Sequence, residues 1–333
     1  MELQKFKLKE ALFYEKLPNK KVRCLLCPRK CFISNNSTGF CRVRKNIEGK
    51  LYSLVHSRPC TVSIDPIEKK PLFHFLPGTK ALSIATCGCN LTCSFCQNYE
   101  ISQGEIFGEF ISPEKVIDLA KKYEVKIIAY TYTEPTVFYE YCLDIMKLAK
   151  KENLKNVFIS NGYINRDPIR KIAPYLDAVN IDVKGEEKVY SALSHASLKP
   201  VLESVLEFKK TKVWIEITSL IIPGYNDSKK WIDDLSAWIK NNLGPETPLH
   251  LSRFYPAYKL TNIEPTKISI LKKLYKESKK NLKHVYLGNV FDWKYDSTYC
   301  PKCENLVIRR QGYEVDFNGS KCKKCGTNIA GVF

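Results

Sequence analysis

At 333 residues and 44% hydrophobic content, the chain is long enough to bury a barrel-sized core with small additions. No apolar run approaches the ~18 to 20 residues of a membrane-spanning helix, and Met1 to Lys9 is charged, without the apolar centre of a signal peptide. A cytoplasmic protein without membrane contact is therefore expected. The formal charge of +18 allows an acidic partner or RNA, but much of it is lysine spread over helical stretches as Lys-Lys pairs, the pattern of a solvated face.

Fourteen cysteines without an export signal argue for metal rather than disulfides, because the cytosol keeps thiols reduced. Eleven fall into three groups: Cys24/Cys27/Cys31/Cys41, Cys89/Cys93/Cys96 and Cys300/Cys303/Cys322/Cys325. Cys60 and Cys142 read as core residues.

In chain order, residues 1–22 read as a short helix and a linker ending in Pro18-Asn19-Lys20-Lys21. Four thiols follow within 18 residues, as Cys24-x2-Cys27-x3-Cys31-x9-Cys41, with Pro28 and Gly39 for turns and almost no apolar core. Metal has to hold such a module together. Zinc and an auxiliary iron-sulfur cluster both accept four thiolates; the reading leans to zinc, with unligated thiols as the bland alternative. Leu51 to His56 and Thr61 to Asp65 alternate apolar and polar residues about Ser57-Arg58-Pro59 and read as a hairpin, completing an amino-terminal unit of residues 1–75.

From residue 81, short apolar strands alternate with helical stretches, the signature of a parallel sheet covered by helices. Strands are expected at 81–86, 126–132, 156–160, 178–183, 212–218 and 249–254, with 284–287 a candidate seventh. Helices are expected at 113–122, 136–151, 167–173, 186–193, 198–209, 228–242 and 266–281. Six such units, spanning residues 76–295, make an α/β fold of the partial (β/α)6 TIM type.

The first of these strands leads into Cys89-Asn90-Leu91-Thr92-Cys93-Ser94-Phe95-Cys96, three thiols at C-x3-C-x2-C spacing. Thiolates favour iron-sulfur clusters and zinc. A cubane held by three cysteines leaves one iron open, and an open iron implies chemistry. The alternatives are a compact zinc loop, and closure of the site by Cys87, two residues before Cys89 on the same side of an extended chain. Ligands of parallel α/β sheets bind at the carboxyl ends of the strands. The expected ends carry Tyr132-Thr133-Glu134-Pro135, Ser160-Asn161-Gly162, Asp182-Val183-Lys184-Gly185, Glu216-Ile217-Thr218 and His250-Leu251-Ser252-Arg253.

Residues 296–333 hold Cys300-x2-Cys303-x18-Cys322-x2-Cys325, the spacing of a four-cysteine zinc ribbon with strands at Leu306 to Arg310 and Tyr313 to Phe317. Mononuclear iron is the alternative. With four protein ligands the site has no open position and is expected to serve structure or docking.

The three-thiol stretch resembles the C-x3-C-x-(aromatic)-C motif of the radical S-adenosylmethionine (radical SAM) superfamily, with Phe95 as the aromatic residue. The whole order, including Tyr132-Thr133-Glu134-Pro135 and the terminal ribbon, resembles the AmmeMemoRadiSam-system radical SAM enzymes, which are similar to pyruvate formate-lyase activating enzymes. The resemblance implies a 4Fe-4S cluster on Cys89, Cys93 and Cys96, SAM chelated at the open iron, a low-potential electron donor, and hydrogen abstraction by a 5'-deoxyadenosyl radical. It implies that Phe95 contacts adenine, that Thr133 and Glu134 take the place of the family's Gly-Gly-Glu-Pro motif, and that Asn161, Asp182 and Lys184 line the ribose and carboxylate. By analogy the substrate is a protein or peptide. An RNA-modifying radical SAM enzyme is the runner-up, since residues 20–50 carry nine Lys or Arg against one acidic residue, and a non-enzymatic electron carrier or scaffold is the alternative of another class.

Overall fold

The structure, a computed structural model, describes residues 8–290 and 292–333. Eight strands form one sheet in strict chain order: β1 (Thr61–Pro66), β2 (Lys80–Ala85), β3 (Ile127–Tyr130), β4 (Lys155–Ser160), β5 (Ala178–Asp182), β6 (Trp214–Ile221), β7 (Leu249–Arg253) and β8 (Val285–Gly288). β1 runs antiparallel to β2, and β2 to β8 are parallel. The parallel strands read as apolar runs because both faces are covered; β3 is buried at every residue. Helices α1 (Pro113–Lys122), α2 (Tyr139–Lys151), α3 (Arg166–Ile172), α4 (Leu198–Lys209), α5 (Lys229–Asn242) and α6 (Ile268–Ser278) return the chain between strands. Ser112 and Ser228 cap α1 and α5, their side chains accepting from Lys115 N and Trp231 N. The result is the expected α/β partial barrel, with the seventh parallel strand present.

The floor of the barrel is a plug made by the chain itself. Ile67, Leu72 and Phe75 pack with Ala81, Ile127, Ala129, Val157 and Ala178 from the inner faces of the strands, beside the partly buried Val332. Leu76 N donates to Val332 O at 2.7 Å and Val332 N to His74 O at 2.8 Å, so the carboxyl-terminal segment is tied to the plug. The ribbon, strands Thr298–Tyr299, Leu306–Gln311 and Glu314–Phe317, docks at the same end through the fully buried Arg310, which donates to Phe73 O at 2.6 Å and Thr298 Oγ1 at 2.8 Å.

Three expectations are corrected. Residues 9–24 form strands, not a helix: Tyr14–Leu17 pairs antiparallel with Lys21–Cys24 across a turn in which Asn19 and Lys20 take φ of 56° and 58°. The part of that expected helix in residues 1–7 lies outside the described residues. Thr61–Pro66 does not pair with the strand at 51–56; it pairs along its length with β2, from Thr61↔Ala85 to Pro66↔Lys80, while Lys50–Ser53 pairs with Arg44–Ile47 and Lys9–Glu10. Alternation shows that a strand is half-buried and leaves its partner open. β6 runs three residues past Thr218, so Glu216 and His250 lie toward the floor instead of the mouth. There Glu216 accepts from Phe73 N, His74 N, Trp214 Nε1 and His250 Nε2 at 2.7–3.0 Å and pins the plug. Burial alone would raise its pKa, but His250, His74 and Trp214 hold it below the usual carboxylate value.

Candidate active site

The loop from Thr86 to Gln103 leaves the carboxyl end of β2 and carries the three thiols to the mouth. Gly88 turns it at φ 97°, and a Cβ there would lie 2.6 Å from Val43 Cγ1 and 2.9 Å from Cys41 O, so only glycine allows this approach. Each thiol has its own partner. Cys89 Sγ accepts from Leu91 N at 3.4 Å and from Asn161 Nδ2 at 3.7 Å. Cys93 Sγ lies 3.2 Å from Ser194 Oγ and Cys96 Sγ 3.2 Å from Ser102 Oγ. Burial pushes the Cys89 and Cys93 thiols up, the Cys89 shift reinforced by the Glu134 charge and the Cys93 shift opposed by Lys184. Thiols so placed deprotonate on binding metal. Cys87 faces elsewhere: its thiol meets Phe107 O and N at 3.6 and 3.5 Å, and a hydrogen bond with Cys60 holds it down to about 7.

The other strand ends converge on this loop. After β3, Tyr132 takes φ 64°, a left-handed conformation that glycine would adopt more readily. Its hydroxyl donates to Asp65, its ring lies 4.3 Å from Lys70 Nζ, and Asn98 Nδ2 donates to its carbonyl at 2.8 Å. Thr133 Oγ1 donates to Thr86 O at 2.7 Å. Glu134 is buried and organises the mouth: Oε1 accepts from Thr136 N, Thr136 Oγ1 and Ser160 Oγ at 2.6–2.9 Å, and Oε2 from Asn161 N at 2.8 Å. Burial raises its pKa against these four donors. Asn161 bridges Glu134 to Cys89 and also donates to Asn90 Oδ1 at 2.9 Å.

After β5, Lys184 Nζ lies 2.9 Å from Asp182 Oδ2 and 5.9 Å from the centre of the buried Phe95 ring. Burial opposes the Lys184 charge, but Asp182, Cys93 and Tyr190 outweigh it and raise its pKa. Thr218 stands beside Asp182 across the β5–β6 register, its hydroxyl buried without a partner among the described residues. Phe95, Thr133, Glu134, Asn161, Asp182 and Lys184 therefore share one end of the barrel with the three cysteines.

Sequence reasoning missed Ser194 and Ser102. Ser194 ends a π-helical turn, Tyr190–Ser194, followed by His195 at φ 48°, whose Nδ1 lies 3.0 Å from Thr92 Oγ1. Ser94 N donates to Leu193 O at 2.8 Å, so this turn clamps the cysteine loop. A serine spaced from Cys93 by most of three βα units leaves no local signal. Ser102, six residues after Cys96, was within reach of a search for donors to sulfur.

The ribbon's four thiols lie within 4.8 Å of one another, a grouping that could hold a metal ion. Thr327 hydrogen-bonds Cys325 and holds its thiol down to about 6. Among the described residues, no helix is long and apolar enough to cross a membrane.

Residues 83–235 match the family described as the radical SAM superfamily. The chain is 44% identical over 97% of its length to an uncharacterized protein of Methanocaldococcus jannaschii, covering 99% of that protein. It is 24% identical over 46% of its length to a probable GTP 3',8-cyclase of Pyrococcus horikoshii, covering 51% of it. The fold resembles that of Streptococcus suis SuiB bound to S-adenosylmethionine, with TM-score 0.51 and 15% identity over 67% of this chain and 53% of that one. The superfamily implies a 4Fe-4S cluster and SAM, and the donor set fits both: three thiols turned to one mouth, Cys87 turned away, and an unpartnered hydroxyl beside Asp182. The non-enzymatic carrier reading is thereby set aside. On its cysteine loop, its barrel and these matches, the chain belongs to the radical SAM superfamily and is a radical SAM enzyme.

Proposed function

We propose that this enzyme acts on a protein or peptide, as activating enzymes of the pyruvate formate-lyase type do, and that it belongs to the AmmeMemoRadiSam-system subgroup. The SAM-cleaving chemistry behind this reading is carried by the three-thiol loop with Cys87 turned to Phe107 and Cys60, which supports a 4Fe-4S cluster with one iron free of protein ligands, and the substrate class rests on the analogy with activating enzymes. A cluster and SAM held by these residues, with one electron from a low-potential donor, would supply the radical chemistry for hydrogen abstraction.

The chain's own residues bind, orient and exclude water. Phe95 offers its buried ring to adenine, and Asp182 accepts from ribose hydroxyls. Lys184 provides the positive charge that meets the methionyl carboxylate. Glu134 Oε2, with one protein donor, retains acceptor capacity for the methionyl ammonium; Thr133 fixes the backbone ahead of it and Asn161 orients the Cys89 edge. Tyr99 and Tyr258 stack at 4.7 Å, with Tyr99 exposed, and offer a rim against which a peptide can lie. The ribbon thiols are suited to structural zinc, and the reduced cysteines to a cytoplasmic setting.

The test is anaerobic reconstitution followed by measurement of 5'-deoxyadenosine. Cys93→Ala is expected to abolish its formation, and retained formation ends the assignment. For the substrate, a lysate of cells grown in heavy water is fractionated and offered to the enzyme. Deuterium is expected in 5'-deoxyadenosine from a macromolecular fraction that protease destroys and ribonuclease spares; the opposite sensitivity favours the RNA reading.

A further inference from the structure

The chain carries two four-cysteine groups, and they stand at opposite ends of the barrel with different spacing. At the floor, the ribbon's thiols are drawn together: Cys300–Cys325 is 3.5 Å, Cys303–Cys322 3.6 Å and Cys303–Cys325 3.4 Å. Four thiolates on one zinc stand ~3.8 Å apart, the tetrahedral edge for bonds of ~2.3 Å. Around a cubane the same four sulfurs stand roughly 6 Å apart. Among the described residues, the ribbon supplies the one group of three or more such ligand atoms gathered within 4.8 Å. Cys24, Cys27, Cys31 and Cys41 are not gathered in that way; all four line a single cavity whose wall includes Asn90.

The second observation is where that cavity sits. Both chain neighbours of Cys89 touch the amino-terminal module: a Cβ on Gly88 would meet Cys41 O at 2.9 Å, and Asn90 lines the cavity while its carbonyl accepts from Arg29 Nε at 2.9 Å. Arg42 Nη2 donates to Ser102 O at 2.6 Å, fixing the module to the residue whose hydroxyl meets Cys96. On the outer side, Phe32 and Phe40, which follow Cys31 and precede Cys41, are 70% and 39% exposed.

From this geometry we propose that Cys24, Cys27, Cys31 and Cys41 hold an iron-sulfur cluster, in place of zinc, that passes electrons to the cluster on Cys89, Cys93 and Cys96. Four thiolates saturate a cubane, so the centre has no iron to offer a substrate, and its place beside the Cys89 loop suits it to pass electrons as well as to hold its module together. One electron passes from a low-potential protein donor of the ferredoxin class to the amino-terminal cluster, reducing it. The same electron then passes to the mouth cluster, which is reduced as the first returns to its oxidised state; no bond forms or breaks. The relay rests on the SAM-cleaving reading proposed above, while the metal assignment stands without it.

The experiment uses the full chain, reconstituted anaerobically with iron and sulfide. Wild type is expected to hold about eight irons and one zinc, and a chain in which Cys89, Cys93 and Cys96 are all alanine about four irons with an EPR signal that SAM leaves unchanged. Two zincs and no iron in that variant would overturn the cluster, and the wild-type count decides the point if the variant misfolds. For the relay, Cys27→Ala is expected to lose about four irons, and its SAM cleavage driven by reduced ferredoxin to fall about tenfold or more, with a smaller fall under dithionite. Equal falls under both reductants overturn the relay. A wild-type chain holding two clusters, neither of them responsive to SAM, overturns the SAM-cleaving reading and the relay and leaves the amino-terminal iron in place.

Discussion

Ser194 and Ser102 each place a hydroxyl 3.2 Å from a cluster thiol. Once the thiols bind iron as thiolates, these hydroxyls become donors to sulfur, and such bonds raise a cluster's reduction potential. Ser194→Ala is expected to keep its iron and to lower the midpoint potential of the SAM-responsive cluster by tens of mV, read by potentiometric EPR titration; an unmoved potential refutes the role. A second residue reports on pH. Burial pushes Asp296 up to about 7 against the pull of Arg310. A carboxyl raised in the fold stabilises it fully below its unfolded pKa of ~3.9 and loses that contribution as pH climbs through 7. The melting temperature of Asp296→Asn relative to wild type should therefore rise between about pH 4 and about pH 7. The cysteines were legible because their spacing is local, whereas Ser194 was not, because its meeting with Cys93 is made by tertiary folding across 101 residues.

At the scale of elements, a buried ion pair joins the Arg29 and Arg42 contacts in fastening the amino-terminal module to the barrel. Arg44 Nη1 lies 3.0 and 2.9 Å from the two oxygens of Glu140, at the start of α2, and Arg44 Nη2 donates to Leu12 O at 2.6 Å. Burial works against the Arg44 charge, yet Glu140, Cys24 and Cys41 raise its pKa above the usual arginine value. Removing one partner strands the other in a site without water, so Glu140→Ala should cost about 3–5 kcal/mol in chemical denaturation. The ribbon makes the opposite kind of attachment. Its four thiols are remote from the mouth, so Cys303→Ser should weaken any metal held there and lower the melting temperature while the mouth cluster keeps its iron count. Strand periodicity announced β2 to β8 and the helices between them, because each carries its own apolar pattern. The pairing of β1 with β2, and the strands at residues 9–24, depend on which edge is free to receive them, and one chain's alternation does not state that.

Over the whole molecule, the formal charge of +18 is the excess of 53 Lys and Arg over 35 Asp and Glu. Lysines at 9, 121, 155, 230 and 280 each meet a carboxylate at the surface, and those pairs add nothing to the excess. Generic RNA is therefore expected to be held at about 50 mM salt and released by about 200 mM, followed by fluorescence anisotropy; retention at the higher salt would favour RNA as substrate. The two cysteine-rich appendages occupy the two ends of one barrel, the mouth guarded by the first and the floor sealed by the second. On the metal assignments proposed above, air would reach them unequally in chemical terms, since iron-sulfur centres bleach in oxygen and a zinc ion has no redox chemistry of its own. Protein prepared on the open bench would thus stay folded from below while turning colourless at the top, and a sharp melting curve would say nothing about whether it can still turn over.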